Sequence, residues 1–482
     1  MKIQLSTHLL ITSISCFVLS APVIGAAAPP NVLFIITDQQ TVSAMSCAGN
    51  THLKTPALDS LAARGARFEK SYCTYPVCSP SRASLVTSRM PHELGIYSNN
   101  KDPGIPSSVV TLGEIFRAAG YQTAWAGKWH VPAPYPGFMS GPRATIPGFD
   151  VLPLEGPPHR GNTNTAPGLG SDPAVTAAAI KFLQQPHPQP FLLTLSILNP
   201  HDICEYPREP QHFPQPAAGV VLPPLPLNFS ATTGEPSVLQ AIRDRQLKPG
   251  SEISDWGEKE WRTYGWVYNR LTETADGLIG QVLAALEQSG QAGNTIILFT
   301  SDHGEMNGAH KLRTKMYLYD EAVAVPMIVC LPGKTARPLV DATHLVSGLD
   351  ILPTLCDYAG VKVPANAAFE GLSLRPLIEQ KPAAWRDHLV VEMGENNDAR
   401  MVRTARYKYI AYATGENPEQ LFDLQTDLGE TKNLAAQGSA RPVLEEHRRL
   451  LKDWIGRTKD AFGEKGESAP SGKARGKNRR KQ

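Results

Sequence analysis

Three apolar runs, each followed closely by polar side chains, constrain the fold of this chain more than any other feature. The runs and the residues that follow them are 31–37 with Asp38 and Gln39, 191–198 with His201, and 295–300 with Asp302 and His303. Nearly continuous apolar runs are typical of parallel strands that are buried on both faces. Ligands bind at the carboxyl ends of such strands, so these polar residues mark a predicted site.

Helical segments separate the runs and complete the fold prediction. The helices are predicted over 55–62, 111–119, 174–183 and 261–288, with another from about residue 79. Strands that alternate with helices predict an α/β fold with a largely parallel central sheet flanked by helices. After about residue 380 the pattern changes to four short strands and a closing helix, at 388–393, 401–404, 407–413, 420–424 and 442–457. This part predicts a smaller C-terminal antiparallel α+β subdomain.

The two ends of the chain have a different character. Lys2, the mostly apolar run 9–19 and the small residues 25–28 predict a signal peptide over residues 1–28, and therefore a secreted or periplasmic protein. That run is too short to cross a bilayer, and no later segment is apolar enough to do so. The remaining organisation is then a catalytic domain at 29–380, the subdomain at 381–460 and a tail at 461–482.

The tail is basic, whereas the rest of the chain is acidic. The formal net charge is +2, and residues 473–482 carry six basic residues and no acid, so the rest of the chain has 2 − 6 = −4. We expect the tail to be disordered and solvated; binding to an anionic polysaccharide or to a membrane surface is the alternative. We expect no nucleic-acid partner.

The cysteines give little evidence of a disulfide framework. Setting aside Cys16 and Cys78 from the seven leaves Cys47, Cys73, Cys204, Cys330 and Cys356. An odd number cannot pair completely within one chain, and no second close pair completes a zinc pattern. We expect most of the five to be small buried residues; one disulfide among them is the alternative.

The segment from Cys78 to Arg89 reads Cys-Ser-Pro-Ser-Arg-Ala-Ser-Leu-Val-Thr-Ser-Arg. Pro80 suits the first turn of a helix, and Ser79 suits the N-cap before it. Cys78 then lies at the positive helix end, where a thiol pKa falls and anions bind, and Arg82 adds a forked cation. The segment can therefore hold a tetrahedral oxyanion against a reactive residue. With three residues between Cys78 and Arg82, the spacing is too short for a tyrosine phosphatase; a buried cysteine before an ordinary helix is the alternative.

Further polar residues follow the other strands. Lys128 and His130 alternate about Trp129 after a short predicted strand, which places them on one face of an extended chain. The full set of candidates is Asp38, Gln39, Cys78, Arg82, Lys128, His130, His201, Asp302, His303 and Lys315. Two carboxylates, an amide oxygen and a histidine make a mixed site for calcium or magnesium, with manganese or zinc left open by the histidine. The cationic residues would surround an anion. Taken alone, Asp38 could cap a helix and His130 could be a loop residue.

These motifs resemble those of the type I, formylglycine-dependent sulfatases of the alkaline-phosphatase-like superfamily, from about residue 31 to 434. The matching residues are Thr37-Asp38-Gln39, the Cys78-Ser79-Pro80-Ser81-Arg82 core, Gly127-Lys128-Trp129-His130, Pro200-His201, Ser301-Asp302-His303-Gly304 and Lys315. In three places the chain departs from the usual pattern: Ser88 stands where glycine is usual, Gln39 where many members have a second aspartate, and His303 where many have asparagine.

The resemblance implies a mechanism and roles for these residues. The ligands of one divalent cation, expected to be calcium with magnesium or manganese as alternatives, would be Asp38, Gln39, Asp302, His303 and Cys78 after its oxidation to formylglycine. The hydrated aldehyde would attack sulfur, while the charge on the sulfuryl oxygens would be stabilised by Arg82, Lys128 and Lys315. His201, helped by Lys315, would protonate the leaving alcohol, and His130 would take the proton whose removal expels sulfate.

The implied function is a secreted sulfatase that acts on a sulfated carbohydrate, matured by a formylglycine-generating or anaerobic enzyme. A phosphonate or phosphate ester hydrolase of the same superfamily is one rival, and rates on aryl sulfate and aryl phosphate would separate the two. A non-catalytic binder of sulfated glycans is the other; it would be expected to lack the nucleophile or a ligand, and neither is lost. We expect the region 131–172 to cover the rim of the site, with His159, Arg160, Asn162 and Asn164.

Overall fold

The computed structural model of the chain describes residues 28–99, 102, 104–131, 146–152, 167–230, 232–331, 338–394 and 398–463. Nearly all of the predicted signal peptide and basic tail lie outside these residues, as do His159, Arg160, Asn162 and Asn164 of the predicted rim region. Among the described residues, none of the helices combines the length and apolarity that crossing a bilayer requires.

The described strands and helices follow the predicted alternation. The strands are β1 (Asn31–Asp38), β2 (Ala66–Phe68), β3 (Ser71–Tyr72), β4 (Gln122–Gly127), β5 (Asp150–Val151), β6 (Phe191–Pro200), β7 (Thr295–Ser301), β8 (Met327–Cys330), β9 (Leu339–Asp341), β10 (Val346–Ser347), β11 (His388–Met393), β12 (Ala399–Thr404), β13 (Tyr407–Tyr412) and β14 (Glu419–Asp423). The helices are α1 (Pro56–Arg64), α2 (Cys78–Thr87), α3 (Pro91–Leu94), α4 (Leu112–Ala118), α5 (Pro167–Leu183), α6 (Ser237–Leu247), α7 (Glu258–Gln288), α8 (Asp320–Val323), α9 (Ile351–Ala359), α10 (Arg375–Ile378) and α11 (Arg441–Thr458).

The large sheet has the order β5-β4-β6-β1-β7-β8-β2-β9. Of these described strands, β8 alone runs antiparallel to its neighbours. Side chains of β1 alternate between the two faces: Val32, Phe34 and Ile36 join one apolar cluster, whereas Leu33 and Ile35 join another. Helices cover both faces, and this explains why the strand is apolar at almost every position. The predicted α/β fold is confirmed.

The C-terminal sheet runs β11-β12-β13-β14 and is antiparallel throughout. Its side chains also alternate. Val402 and Tyr409 pack with Trp454 of α11, whereas Met401 and Ile410 pack in a cluster with residues 317–319. The buried ammonium of Lys408 lies 2.6 Å from Asp320 Oδ1 and 2.7 Å from Glu430 Oε1. The small sheet is therefore held against the loop that carries Lys315.

One local prediction was wrong. Helix α2 begins at Cys78 with Val77 as its N-cap, so Ser79 is not the cap. Pro80 is tolerated as the third helical residue because the first four N–H groups of a helix have no partner inside it, and the hydroxyl of Ser79 donates instead to the carbonyl oxygen of His130. All six described cysteines are free, so the disulfide that the sequence left open does not form among them.

Candidate active site

The carboxyl ends of four adjacent strands meet at one edge of the large sheet. Their order is β4-β6-β1-β7. Asp38 pairs with Pro200 of β6, and Thr37 pairs with Ser301 of β7, so the residues that follow these strands lie level with one another. The N-terminus of α2 reaches the same edge, because Cys78 Sγ lies 3.8 Å from Asp38 Oδ1. The strand ends predicted from the sequence therefore converge as expected.

A buried arginine organises the two carboxylates. Arg82 Nη2 donates to Asp38 Oδ2 at 2.9 Å, and its Nε donates to Asp302 Oδ2 at 2.7 Å. Its Nη1 donates to the carbonyl oxygen of Lys128 at 3.0 Å and to Ser196 Oγ at 2.8 Å. Arg82 is 2% exposed and both carboxylates are fully buried. The guanidinium is thus locked in one orientation by contacts from four segments of the chain.

The two carboxyl groups titrate differently. Burial acts to raise the pKa of Asp38, but the charges of Lys128, His201, Arg82 and Lys315 outweigh it, and this pKa lies well below its ordinary value. Burial and the nearby charge of Asp38 raise the pKa of Asp302 to about 6. Lys128 Nζ lies 2.7 Å from Asp38 Oδ2, which explains why the first carboxyl carries the charge more readily.

Cys78 lies at the centre of the charged groups. Its Sγ is 3.3 Å from His303 Nε2, 3.2 Å from Lys315 Nζ and 3.7 Å from Lys128 Nζ. Burial and Asp38 act to raise the pKa of its thiol, but the charges of Lys128, Lys315 and His303 outweigh them and hold it well below its ordinary value. The position therefore favours an anionic group.

The donor set fits a divalent cation. Ligand atoms of Asp38, Cys78, Asp302 and His303 all lie within 4.8 Å of one another and are buried. His303 Nδ1 lies 3.0 Å from the carbonyl oxygen of Gly304 and donates to it, so the lone pair of Nε2 faces the cluster. The oxygens suit calcium, magnesium or manganese, and the imidazole nitrogen suits the last of these best.

The histidines predicted for proton transfer also face this cluster. His201 Nε2 lies 3.9 Å from Asp38 Oδ1. Burial and the charges of Lys315 and Lys128 lower its pKa to about 4. Burial together with the charge of Lys128 lowers the pKa of His130, although the charges of Cys78 and Asp38 act to raise it. The ten candidate residues predicted from the strand ends and loops are therefore brought together, and the pKa of each of these two imidazoles lies below its ordinary value.

Sequence reasoning missed four residues of this site. Ser196 binds Arg82, Asn99 Oδ1 accepts from the backbone N–H of Ser79 at 3.0 Å, and Glu305 and Cys204 contact the amide of Gln39. Glu305 directly follows the predicted turn after β7 and could have been found from its position. Asn99 lies on a separate loop and gives no such signal.

The conformation of Gln39 is unusual. Its φ is +66°, a left-handed backbone that non-glycine residues seldom adopt. The carbonyl oxygen of Gln39 accepts from the hydroxyl of Tyr268 at 2.8 Å, and its N–H donates to Asp302 Oδ1 at 3.1 Å. The backbone turn directly after β1 is therefore fixed from α7 and from the end of β7.

The chain matches known proteins over most of its length. The profile described as Sulfatase matches residues 30–361. The chain belongs to the sulfatase family. A second profile, N-sulphoglucosamine sulphohydrolase, C-terminal, matches residues 308–456 of this sulfatase. The family resemblance predicted from the motifs is confirmed, and the protein is a sulfuric ester hydrolase.

Three relatives extend this comparison. The sulfatase is 34% identical over 457 residues to the Delta 4,5-hexuronate-2-O-sulfatase of Bacteroides thetaiotaomicron, which covers 91% of this chain and 92% of that protein. It is 32% identical over 426 residues to the ulvan-active sulfatase of Formosa agariphila, covering 84% and 77%. A solved structure of a 2-O GAG sulfatase superposes with a TM-score of 0.79 at 31% identity, covering 90% of this chain and 93% of that one.

Proposed function

We propose that this sulfatase hydrolyses a sulfate ester on a carbohydrate, with one divalent cation and a nucleophile derived from Cys78. The observation that carries the proposal is the position of Cys78. Its Sγ lies among carboxylate and imidazole ligand atoms and 3.2 Å from the ammonium of Lys315. A nucleophilic group at this point can bind a cation and attack the sulfur atom of an anionic sulfate ester.

Side chains that already lie at the site would hold the cation and orient the nucleophile. Asp38, Gln39, Asp302 and His303 would hold the cation, which would supply Lewis-acid activation of the nucleophile and neutralise charge. Oxidation of Cys78 to formylglycine, by a maturation enzyme of the cell, would supply a hydrated aldehyde as the nucleophile. The side-chain cations of Arg82, Lys128 and Lys315 would maintain the orientation of the nucleophile, the ligands and the substrate.

The protein's own side chains would then bind the sulfate group and move the protons. The ammonium groups of Lys128 and Lys315 lie 3.7 Å and 3.2 Å from Cys78 Sγ, where they can stabilise charge on the sulfuryl oxygens, as can Arg82. His201 Nε2 would donate a proton to the leaving alcohol. His130 would accept the proton whose removal releases sulfate.

The substrate class is supported by the relatives. One is called a Delta 4,5-hexuronate-2-O-sulfatase and another an ulvan-active sulfatase. We infer a sulfated carbohydrate, with a 2-O-sulfated unsaturated hexuronate as the first compound to test. The predicted signal peptide supports export of the protein to the compartment where such polysaccharides are degraded.

A desulfation screen tests this proposal. Purified enzyme would be incubated with sulfated mono- and oligosaccharides, and free sulfate would be measured for wild type and Cys78→Ala. We expect the variant to lose activity by a factor on the order of 10⁶, as nucleophile deletions do. Peptide mass spectrometry of the active protein should show an aldehyde at residue 78. Full activity with an unmodified thiol, or faster cleavage of nitrophenyl phosphate than of nitrophenyl sulfate, would contradict the proposal.

A further inference from the structure

The side-chain amide of Gln39 lies between a buried carboxylate and a buried ammonium. Its Nε2 donates to Glu305 Oε2 at 2.5 Å, and its Oε1 accepts from Lys315 Nζ at 2.8 Å. A carboxylate only accepts and an ammonium only donates. This orientation of the amide therefore satisfies both neighbours, and the flipped one would satisfy neither.

Glu305 is held so that, among the described residues, its Oε2 accepts from the amide of Gln39. Its Oε1 accepts from the hydroxyl of Tyr264 at 2.9 Å and from the backbone N–H groups of Asn307 at 3.1 Å and Thr314 at 2.6 Å. The residue is fully buried. The carboxylate therefore cannot rotate without losing three hydrogen bonds, and Oε2 stays turned towards Gln39.

We propose that Glu305 is a positioning residue that selects the orientation of the Gln39 amide and so presents Gln39 Oε1 to the cation. The inference rests on the proposed function, because it takes Gln39 as a ligand of that cation. Cys204 Sγ lies 3.1 Å from Nε2 and 3.3 Å from Oε1 of the same amide. A thiol can donate or accept, so Cys204 tolerates either orientation and does not select one.

The proposal predicts that amide and carboxylate can be exchanged between the two positions. In Glu305→Gln, the three donors that face Oε1 would hold the new carbonyl oxygen, and its NH₂ would face Gln39. The Gln39 amide would then flip and direct its own NH₂ towards Lys315 and the cation. Adding Gln39→Glu places one acceptor oxygen towards the new amide at residue 305 and another towards Lys315 and the cation. A carboxylate can accept from the amide with one oxygen and bind the cation with the other.

Calcium titration by calorimetry on the purified full-length protein tests the exchange. We expect Glu305→Gln to weaken calcium binding by about 10–100-fold, the usual effect of removing a partner that orients a ligand. The double variant Glu305→Gln with Gln39→Glu should bind calcium within about threefold of wild type, or more tightly. Unchanged calcium affinity in Glu305→Gln, or a double variant that binds no better than Glu305→Gln, would overturn the proposal.

Tyr264→Phe is the matched control, since it removes one hydrogen bond from the other oxygen of the same carboxylate. A purely structural role of Glu305 predicts that this variant weakens calcium binding too and that Gln39→Glu rescues nothing. Our proposal predicts that Tyr264→Phe keeps calcium affinity within about threefold of wild type. If Glu305→Gln does not fold, the double variant decides: a soluble, calcium-binding protein supports the proposal, and an insoluble one overturns it.

Thermal unfolding in a chelator provides a readout that needs no metal. Gln39→Glu alone sets two carboxylates against each other, and Glu305→Gln alone turns an NH₂ group of Gln39 towards the ammonium of Lys315, so each should lower the Tm. The double variant should have a higher Tm than either single variant, which is the non-additivity expected of residues in contact. Additive losses would overturn the proposal. If wild type binds no calcium, the assigned cation fails, and this cycle still tests the pairing of Glu305 with Gln39.

Discussion

The Nε of Arg82 lies 2.7 Å from Oδ2 of Asp302, which joins helix α2 to the end of strand β7 by a buried ion pair. The same guanidinium reaches Asp38, whose Oδ2 is 2.9 Å away. Two buried carboxylates can therefore lie close together because a fixed forked cation connects them. The arginine that we propose to bind sulfate therefore also holds the two carboxylates of the proposed cation site.

Replacing Arg82 by lysine should be strongly destabilising. Lysine keeps the charge but cannot reach Asp38, Asp302, the Lys128 carbonyl and Ser196 in one fixed geometry. We expect the free energy of unfolding to fall by about 3–5 kcal/mol, the usual cost of breaking a buried pair. Urea denaturation measures it. Arg89→Lys is the control, because its single ion pair with Glu93 is partly exposed and 3.4 Å long; equal losses in both variants would contradict the interpretation.

Asp302→Ala should remove the bound cation. Its Oδ1 lies 3.6 Å from His303 Nε2, and the ligand cluster loses one of its two carboxylates with this change. Elemental analysis after dialysis should find clearly less than one equivalent of metal in the variant. Asp276→Ala is a matched control, since this carboxylate accepts from the N–H groups of Ala57 and Leu58 at the start of α1. A full equivalent of metal in Asp302→Ala would assign Asp302 a purely structural role.

The pH dependence of stability should report His310. Its ring stacks on Tyr319 at 3.9 Å, and its Nδ1 lies 3.1 Å from Thr232 Oγ1. Burial and the charges of Arg243 and Lys408 lower its pKa from 6.5 to about 3. The unfolded chain therefore binds more protons than the fold between these values, and stability is lost as the pH falls from about 6.5 towards 3.

His310→Gln should flatten that dependence. We expect the slope of unfolding free energy against pH to decrease by up to about 1.4 kcal/mol per pH unit in that window, as measured by urea denaturation at several pH values. His212→Gln is the control, because its side chain is 47% exposed. An unchanged slope in His310→Gln would mean that His310 is protonated in the folded protein.

The sequence predicts those residues of the site that directly follow a buried strand. Asp38, His201 and Asp302 each follow an apolar run closely, and parallel pairing brings such positions level. The relation of Gln39 to Glu305 could not be predicted, because it depends on contacts across 266 residues of chain. The start of α2 was misplaced by a local rule, since Ser79 donates to a distant carbonyl group instead of capping the helix.

The last prediction concerns proton donation by His201 to the leaving group. In the free protein, Lys315 and Lys128 help to lower its pKa to about 4. A bound sulfate ester brings a negative charge that offsets these two cations and allows Nε2 to hold a proton. An alkoxide from a sugar needs that proton far more than a nitrophenolate does, because the phenol is the stronger acid.

His201→Ala should therefore reduce the rate on a sugar sulfate by about 10²–10⁴, the usual range for a positioned general acid. The loss on nitrophenyl sulfate should be clearly smaller. Proton donation by Lys315 in place of His201 would reduce this difference between the two substrates. The measurement is kcat/KM for both substrates at several pH values, on wild type and on the variant. The acidic limb of the plot of kcat/KM against pH should differ between wild type and variant for the sugar sulfate and stay the same for nitrophenyl sulfate. Equal losses on both substrates would mean that His201 binds the sulfate group and does not protonate the leaving oxygen.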